Sequence, residues 1–232
     1  MRIRVAAALA KVKTVRRASW LRISRPKNLF QPYNDTGEDR YPDIFDWLRH
    51  EILDAESVRL LSFGCSVGDE VFSLRSYFPK STIVGIEISR GNISECRPRC
   101  RQRGDARIRF VQAGTVEQEA DGHYDAVFCM AVLRHGDLGY SPDESSERCI
   151  TFEAFDETVG ELARCLKVGG FLVIEHSNFR FRDSSCAGQF EVAVSRELPA
   201  LPPNSRVTPL FGRDNRRLDD QEYREVIFRK VR

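Results

Sequence analysis

A chain of 232 residues, 41% apolar and 30% charged, is long enough for one substantial domain with an appendage and a sizeable core. No apolar run approaches the roughly 18 residues of a membrane-spanning helix, and seven cysteines, an odd number scattered from Cys65 to Cys186, argue against a disulfide framework and for reduced thiols in a cytoplasmic protein. The net charge of +2 hides an asymmetry: residues 1–34 hold nine Lys/Arg and no Asp/Glu.

The acid-free start, residues 1–33, reads as a basic N-terminal extension. Its composition fits a transit peptide, a membrane-surface helix, a nucleic-acid arm or a merely solvated tail; Val5–Ala10 is too short and too rich in alanine for a secretory signal. Residues 34–232 read as one domain. Asp43 to Leu53 predicts a helix leading into a first strand at 58–63. Further strands are predicted at Thr82–Glu87, Arg107–Val111, Tyr124–Cys129 and Phe171–Glu175, short β-branched or aromatic runs bounded by turn residues. Helices are predicted near 69–78, 90–103 and 150–166, the last with Phe152, Phe155, Val159, Leu162 and Leu166 on one face and Gly169-Gly170 as its stop. The polar stretch Ser141–Arg148 reads as a surface loop, and a Pro-rich loop at 201–204 separates the alternating Phe190, Val192, Val194 from a last run, Glu225–Phe228. Such alternation predicts an α/β, Rossmann-like seven-stranded sheet, mostly parallel with an antiparallel C-terminal strand and helices on both faces.

Chemistry concentrates where the first strand meets the next helix. Gly64-Cys65-Ser66-Val67-Gly68-Asp69-Glu70 has the small residues that let backbone amides approach a ligand closely. Its Gly-x-x-x-Gly-x-Glu spacing is neither the dinucleotide Gly-x-Gly-x-x-Gly nor a Walker loop. Glu87 ends the second strand 23 residues after Gly64, where a carboxylate can accept hydrogen bonds from both hydroxyls of an adenosine ribose.

This loop resembles motif I of the class I S-adenosylmethionine (SAM) methyltransferases. Asn34-Asp35-Thr36-Gly37-Glu38-Asp39-Arg40 followed by Phe45, the loop 64–73, Phe128-Cys129 and His176-Ser177 are similar to the core of the chemotaxis-receptor methyltransferases over residues 34–178. The resemblance implies SAM contacts from Asn34, Thr36, Arg40, Glu70 and Glu87, with Arg40 facing the cofactor carboxylate through the paired donors of its guanidinium. Gly64, Cys65, Ser66, Gly68 and Ile88 would complete the cofactor loop, with Gly114, Thr115 and Met130 at the ends of the third and fourth strands. The chain departs from that family at Gly114-Thr115 and Met130-Ala131, and it has no room for the receptor-docking domain. Protein glutamate methylation is therefore not carried over.

Methyl transfer from a sulfonium needs alignment and exclusion of water, and a base only when the acceptor must lose a proton. His135 and His176, past the fourth and fifth strands, are the candidate catalytic residues, set against ordinary structural histidines; Asp125 opens the fourth strand at the opposite end and reads as structural. Arginines 97, 99, 101, 103, 107 and 109 read as a solvated run or a nucleic-acid surface. Cys96-x-x-x-Cys100 lacks a second ligand pair, so no metal site is expected. The reading is a SAM-dependent transfer to a small-molecule or glycan oxygen or nitrogen. An RNA or protein methyltransferase, or a SAM-binding regulatory protein without turnover, is the alternative.

Overall fold

A computed structural model describes residues 28–34, 36–140, 143–196 and 208–232. The first 27 residues of the basic extension, the Pro-rich loop and residues 141–142 of the polar loop lie outside the described residues. The elements run α1 (Pro42–Glu51), β1 (Arg59–Phe63), α2 (Asp69–Tyr77), β2 (Thr82–Glu87), α3 (Arg90–Arg103), β3 (Ile108–Gln112), β4 (Tyr124–Met130), α4 (Phe152–Cys165), β5 (Leu166–Glu175), β6 (Phe190–Ser195) and β7 (Glu225–Lys230). One seven-stranded sheet has the order β3-β2-β1-β4-β5-β7-β6. The first five strands pair in parallel, and β7 runs antiparallel to β5 and β6.

Strand alternation splits the core into two layers. Leu61 and Phe63 of β1 join Val127 and Cys129 of β4 beneath Phe155, Val159 and Leu162 of α4. Leu60, Ala126 and Phe128 point the other way, onto Phe45 and Leu48 of α1, Val71 and Leu74 of α2 and Ile93 of α3. Burying a side chain such as Leu60 or Phe155, each 0% exposed, stabilises the fold by about 1.5–3 kcal/mol. Asp125 sits at the far end of the sheet, accepting the Arg59 N–H at 2.8 Å and the Lys167 ammonium at 2.7 Å.

The start of β5 departs furthest from the pattern-based expectation, the other boundaries shifting by two residues or fewer. The glycine pair does not stop α4; the helix ends at Cys165, and β5 begins at once with Leu166. Leu166 is fully buried and pairs with Tyr124. Gly169 takes φ +85°, and a Cβ on Gly170 would sit 2.9 Å from the Asp125 carbonyl oxygen. The glycines thus let the strand shift register within the sheet rather than end a helix.

Because β1 pairs with β2 on one side and β4 on the other, the crossovers leave in opposite directions and open a crevice beyond the strand ends. No helix among the described residues is long and apolar enough to cross a membrane.

Candidate functional site

A cavity of about 390 Å³ occupies that crevice. Its floor comes from the ends of β1, β2, β3 and β4, and its other wall from residues 28–34, 36, 37, 40 and 41, here called the strap. Gly64 opens the floor with φ +72°; a Cβ there would lie 2.4 Å from Val132 Cγ2. Gly68 takes φ +90° as the N-cap of α2. Ser66, Ala131 and His176, following β1, β4 and β5, also have positive φ, of 53°, 57° and 56°. Non-glycine residues held there each store on the order of 1 kcal/mol of strain.

Two carboxylates face this space. Glu87 is 7% exposed and accepts the N–H groups of Ser66 (2.9 Å) and Ser89 (2.7 Å). Burial raises its pKa, while those backbone bonds pull the other way. Glu70, in the first turn of α2, accepts the Ser62 hydroxyl at 2.7 Å. Burial pushes it up to about 7 against the opposing pull of Ser62 and Arg40. Arg40 lines the same cavity, its guanidinium 5.3 Å from the Tyr41 ring centre. Cys65 is buried, which drives its thiol well above the usual range and leaves it unreactive.

The strap is tied down by polar bonds. Asn34 Oδ1 accepts from the Ser66 hydroxyl and from Asn92 Nδ2 at 3.3 Å. Glu38 accepts Arg99 (3.2 Å) and Arg103 (3.3 Å), and Arg99 also bonds the Val67 carbonyl and Asp69. Both guanidiniums lie over the Phe72 ring. Two members of the basic run therefore hold the strap to α2 and α3, and a third, Arg109, pairs with Glu119.

The cavity brings together Asn34, Thr36, Arg40, Gly64, Cys65, Ser66, Glu70, Glu87, Ile88, Gly114 and Met130, though Arg40 and Gly114 are 74 residues apart in sequence. It does not bring in Gly68, whose role is the turn, nor Thr115, His135 or His176. His135 lies behind the wall, its backbone N–H on Asn178 Oδ1 at 2.7 Å and its Nδ1 accepting the Asp137 N–H at 3.3 Å. His176 sits 3.6 Å from Glu175, and its pKa is lowered to about 4 by burial and then by Arg134, Arg40 and Arg196. Tyr33, Tyr41, Asn92 and Arg134 line the cavity without having stood out in the sequence. Only Asn92 carried a readable signal, in the first turn after Ser89, which caps α3. Among the described residues no group of three or more His, Cys, Asp or Glu could hold a metal ion.

A family model described as a methyltransferase domain matches residues 54–214. No curated protein sequence matches the chain. Among solved structures, a phosphoethanolamine N-methyltransferase 2 from Haemonchus contortus is 18% identical, over 61% of this chain and 29% of its own, with a TM-score of 0.46. A geranyl diphosphate C-methyltransferase from Streptomyces coelicolor is 20% identical over 57% and 45%, TM-score 0.43. A SAM-dependent methyltransferase from Aquifex aeolicus is 15% identical over 63% and 64%, TM-score 0.42. The chain spans less than two thirds of each of these proteins.

Proposed function

The chain belongs to the methyltransferase-domain family, and from that premise we propose that it moves the methyl group of S-adenosyl-L-methionine to an oxygen or nitrogen of a small-molecule or glycan acceptor, releasing S-adenosylhomocysteine. The observation that carries this reading is Glu87: a carboxylate at the end of β2, buried in the cavity wall and fixed by two backbone N–H groups. A carboxylate held in this way keeps oxygen lone pairs for the two hydroxyls of a ribose.

The remaining assignments follow from charge and place. The cofactor's amino-acid end is a zwitterion, so its carboxylate goes to Arg40 and its ammonium to Glu70, both on the cavity lining. Asn34 and Thr36 hold the strap side, as in the chemotaxis-receptor enzymes that the 34–40 element resembles. Gly64, Cys65, Ser66, Ile88, Gly114 and Met130 shape the adenosine pocket by close backbone approach, while Gly68 and Thr115 act behind them. We assign residues 28–33 to the same domain, a reading supported by the burial of Phe30, 3% exposed. The test is incubation of the protein with methyl-labelled SAM and a cell extract. Labelled product together with S-adenosylhomocysteine supports the reading, and cofactor binding without release of either supports a SAM-binding regulatory protein instead.

A further inference from the structure

The strap meets the turn that follows β4 at Tyr33. Tyr33 lines the cavity there and is 37% exposed. Its hydroxyl donates to Asp137 Oδ1 at 2.5 Å. The ring lies directly on Gly136, where an added Cβ would come within 2.9 Å of Tyr33 Cδ2, so this glycine makes the seat for the ring. His135 stands edge-on to the same ring at 6.4 Å between centres, and its Nδ1 lies 4.0 Å from Asp137 Oδ2. The Asp137 side chain is 40% exposed. Three consecutive residues after β4 are thus organised around the phenol of a residue that lines the cavity.

We propose that Tyr33 contacts the methyl acceptor, a hydroxyl compound, and passes its proton to Asp137. This rests on the methyltransferase reading. As the acceptor oxygen forms its bond to the methyl carbon, the carbon–sulfur bond breaks and sulfur keeps the electron pair, giving neutral S-adenosylhomocysteine. The acceptor's proton moves to the Tyr33 oxygen while the phenol's own proton moves to Asp137 Oδ1, and Asp137 releases it to solvent. An oxygen undergoing alkylation is far more acidic than a free hydroxyl, so a carboxylate suffices as the terminal base. His135 is a positioning residue: by accepting the Asp137 backbone N–H it fixes the turn that presents the carboxylate to Tyr33.

The experiment compares wild type with Tyr33→Phe and Asp137→Asn, each of which keeps the shape of the side chain. S-Adenosylhomocysteine binding is read by calorimetry, and transfer of label from methyl-labelled SAM to the small-molecule fraction of an extract is read as a rate. The expected result is affinity and melting temperature close to wild type in both variants, with transfer slowed on the order of 10²–10⁴-fold. His135→Ala should slow transfer as well, and His135→Asn, whose side-chain oxygen can accept the same N–H, should recover part of it. Full transfer by Tyr33→Phe overturns the proton route and leaves the methyltransferase reading standing. A loss confined to affinity and melting temperature also overturns it, and makes the Tyr33–Asp137 bond a clasp for the strap. A wild-type protein that binds no S-adenosylhomocysteine brings down the underlying reading itself.

Discussion

Two residues set the electrostatics of the site, and each gives a measurable consequence. Glu70 has a folded-state pKa of about 7 because burial outweighs the help of Ser62 and Arg40. That lies above the value in the unfolded chain, so its stabilising effect on the ligand-free protein is full below about 4.5 and is lost as pH rises through about 7. Glu70→Gln should flatten this limb, raising the melting temperature at pH 8 by about 4 °C, on the order of 1–2 kcal/mol. An unchanged difference between wild type and variant from pH 5 to pH 8 would show that Glu70 does not titrate there. Arg40 is the proposed partner of the cofactor's carboxylate and lines the same cavity. Arg40→Lys should weaken SAM about tenfold, because a point charge does not replace a planar fork of donors. Methylthioadenosine, which lacks the amino-acid end, should bind both proteins alike; equal losses for the two ligands would remove Arg40 from that role.

Among the elements, the β1–α2 turn carries the tightest constraint. Gly64 combines φ +72° with a Cβ position 2.4 Å from Val132 Cγ2, so a methyl group must displace the loop after β4 while straining its own backbone. Gly64→Ala should cost about 2–4 kcal/mol, read as a lower midpoint in urea; a midpoint within about 0.5 kcal/mol of wild type would mean that the turn yields freely. The glycine spacing showed this turn in the sequence because only glycine meets such a demand cheaply. β2 and α3 were legible to the residue, since Thr82–Glu87 is β-branched between turn residues and Gly104 ends α3 in the left-handed region. The start of β5 was not. Gly169-Gly170 look the same in sequence whether they end a helix or bend a strand, and only the pairing of Leu166 with Tyr124 decides. Tyr33 and Arg134 were hidden for a related reason: their place on the cavity depends on how the strap crosses the sheet, and no local spacing encodes that crossing.

For the molecule as a whole, the strap joins the candidate site to the core. Phe30 packs against the α4 layer while its neighbours Leu29 and Gln31 line the cavity, so folding and ligand binding share this segment. A truncated chain beginning at Asn28 should keep its melting temperature and SAM affinity. One beginning at Asn34 loses Phe30 and Tyr33, and its melting temperature should fall by roughly 6 °C or more, as for a loss above about 2 kcal/mol in a domain this size. Equal melting temperatures for the two truncations would show that the strap only decorates the fold. In the proposed site the cavity beyond β1, β2 and β4 binds SAM through Glu87. Calorimetric titration of SAM into wild type and Glu87→Ala is the decisive comparison, with circular dichroism confirming that the variant is folded. Losing charge-assisted bonds to the ribose should weaken binding by about 1.5–3 kcal/mol, on the order of ten- to a hundredfold; identical affinity in a folded Glu87→Ala protein would contradict the claim.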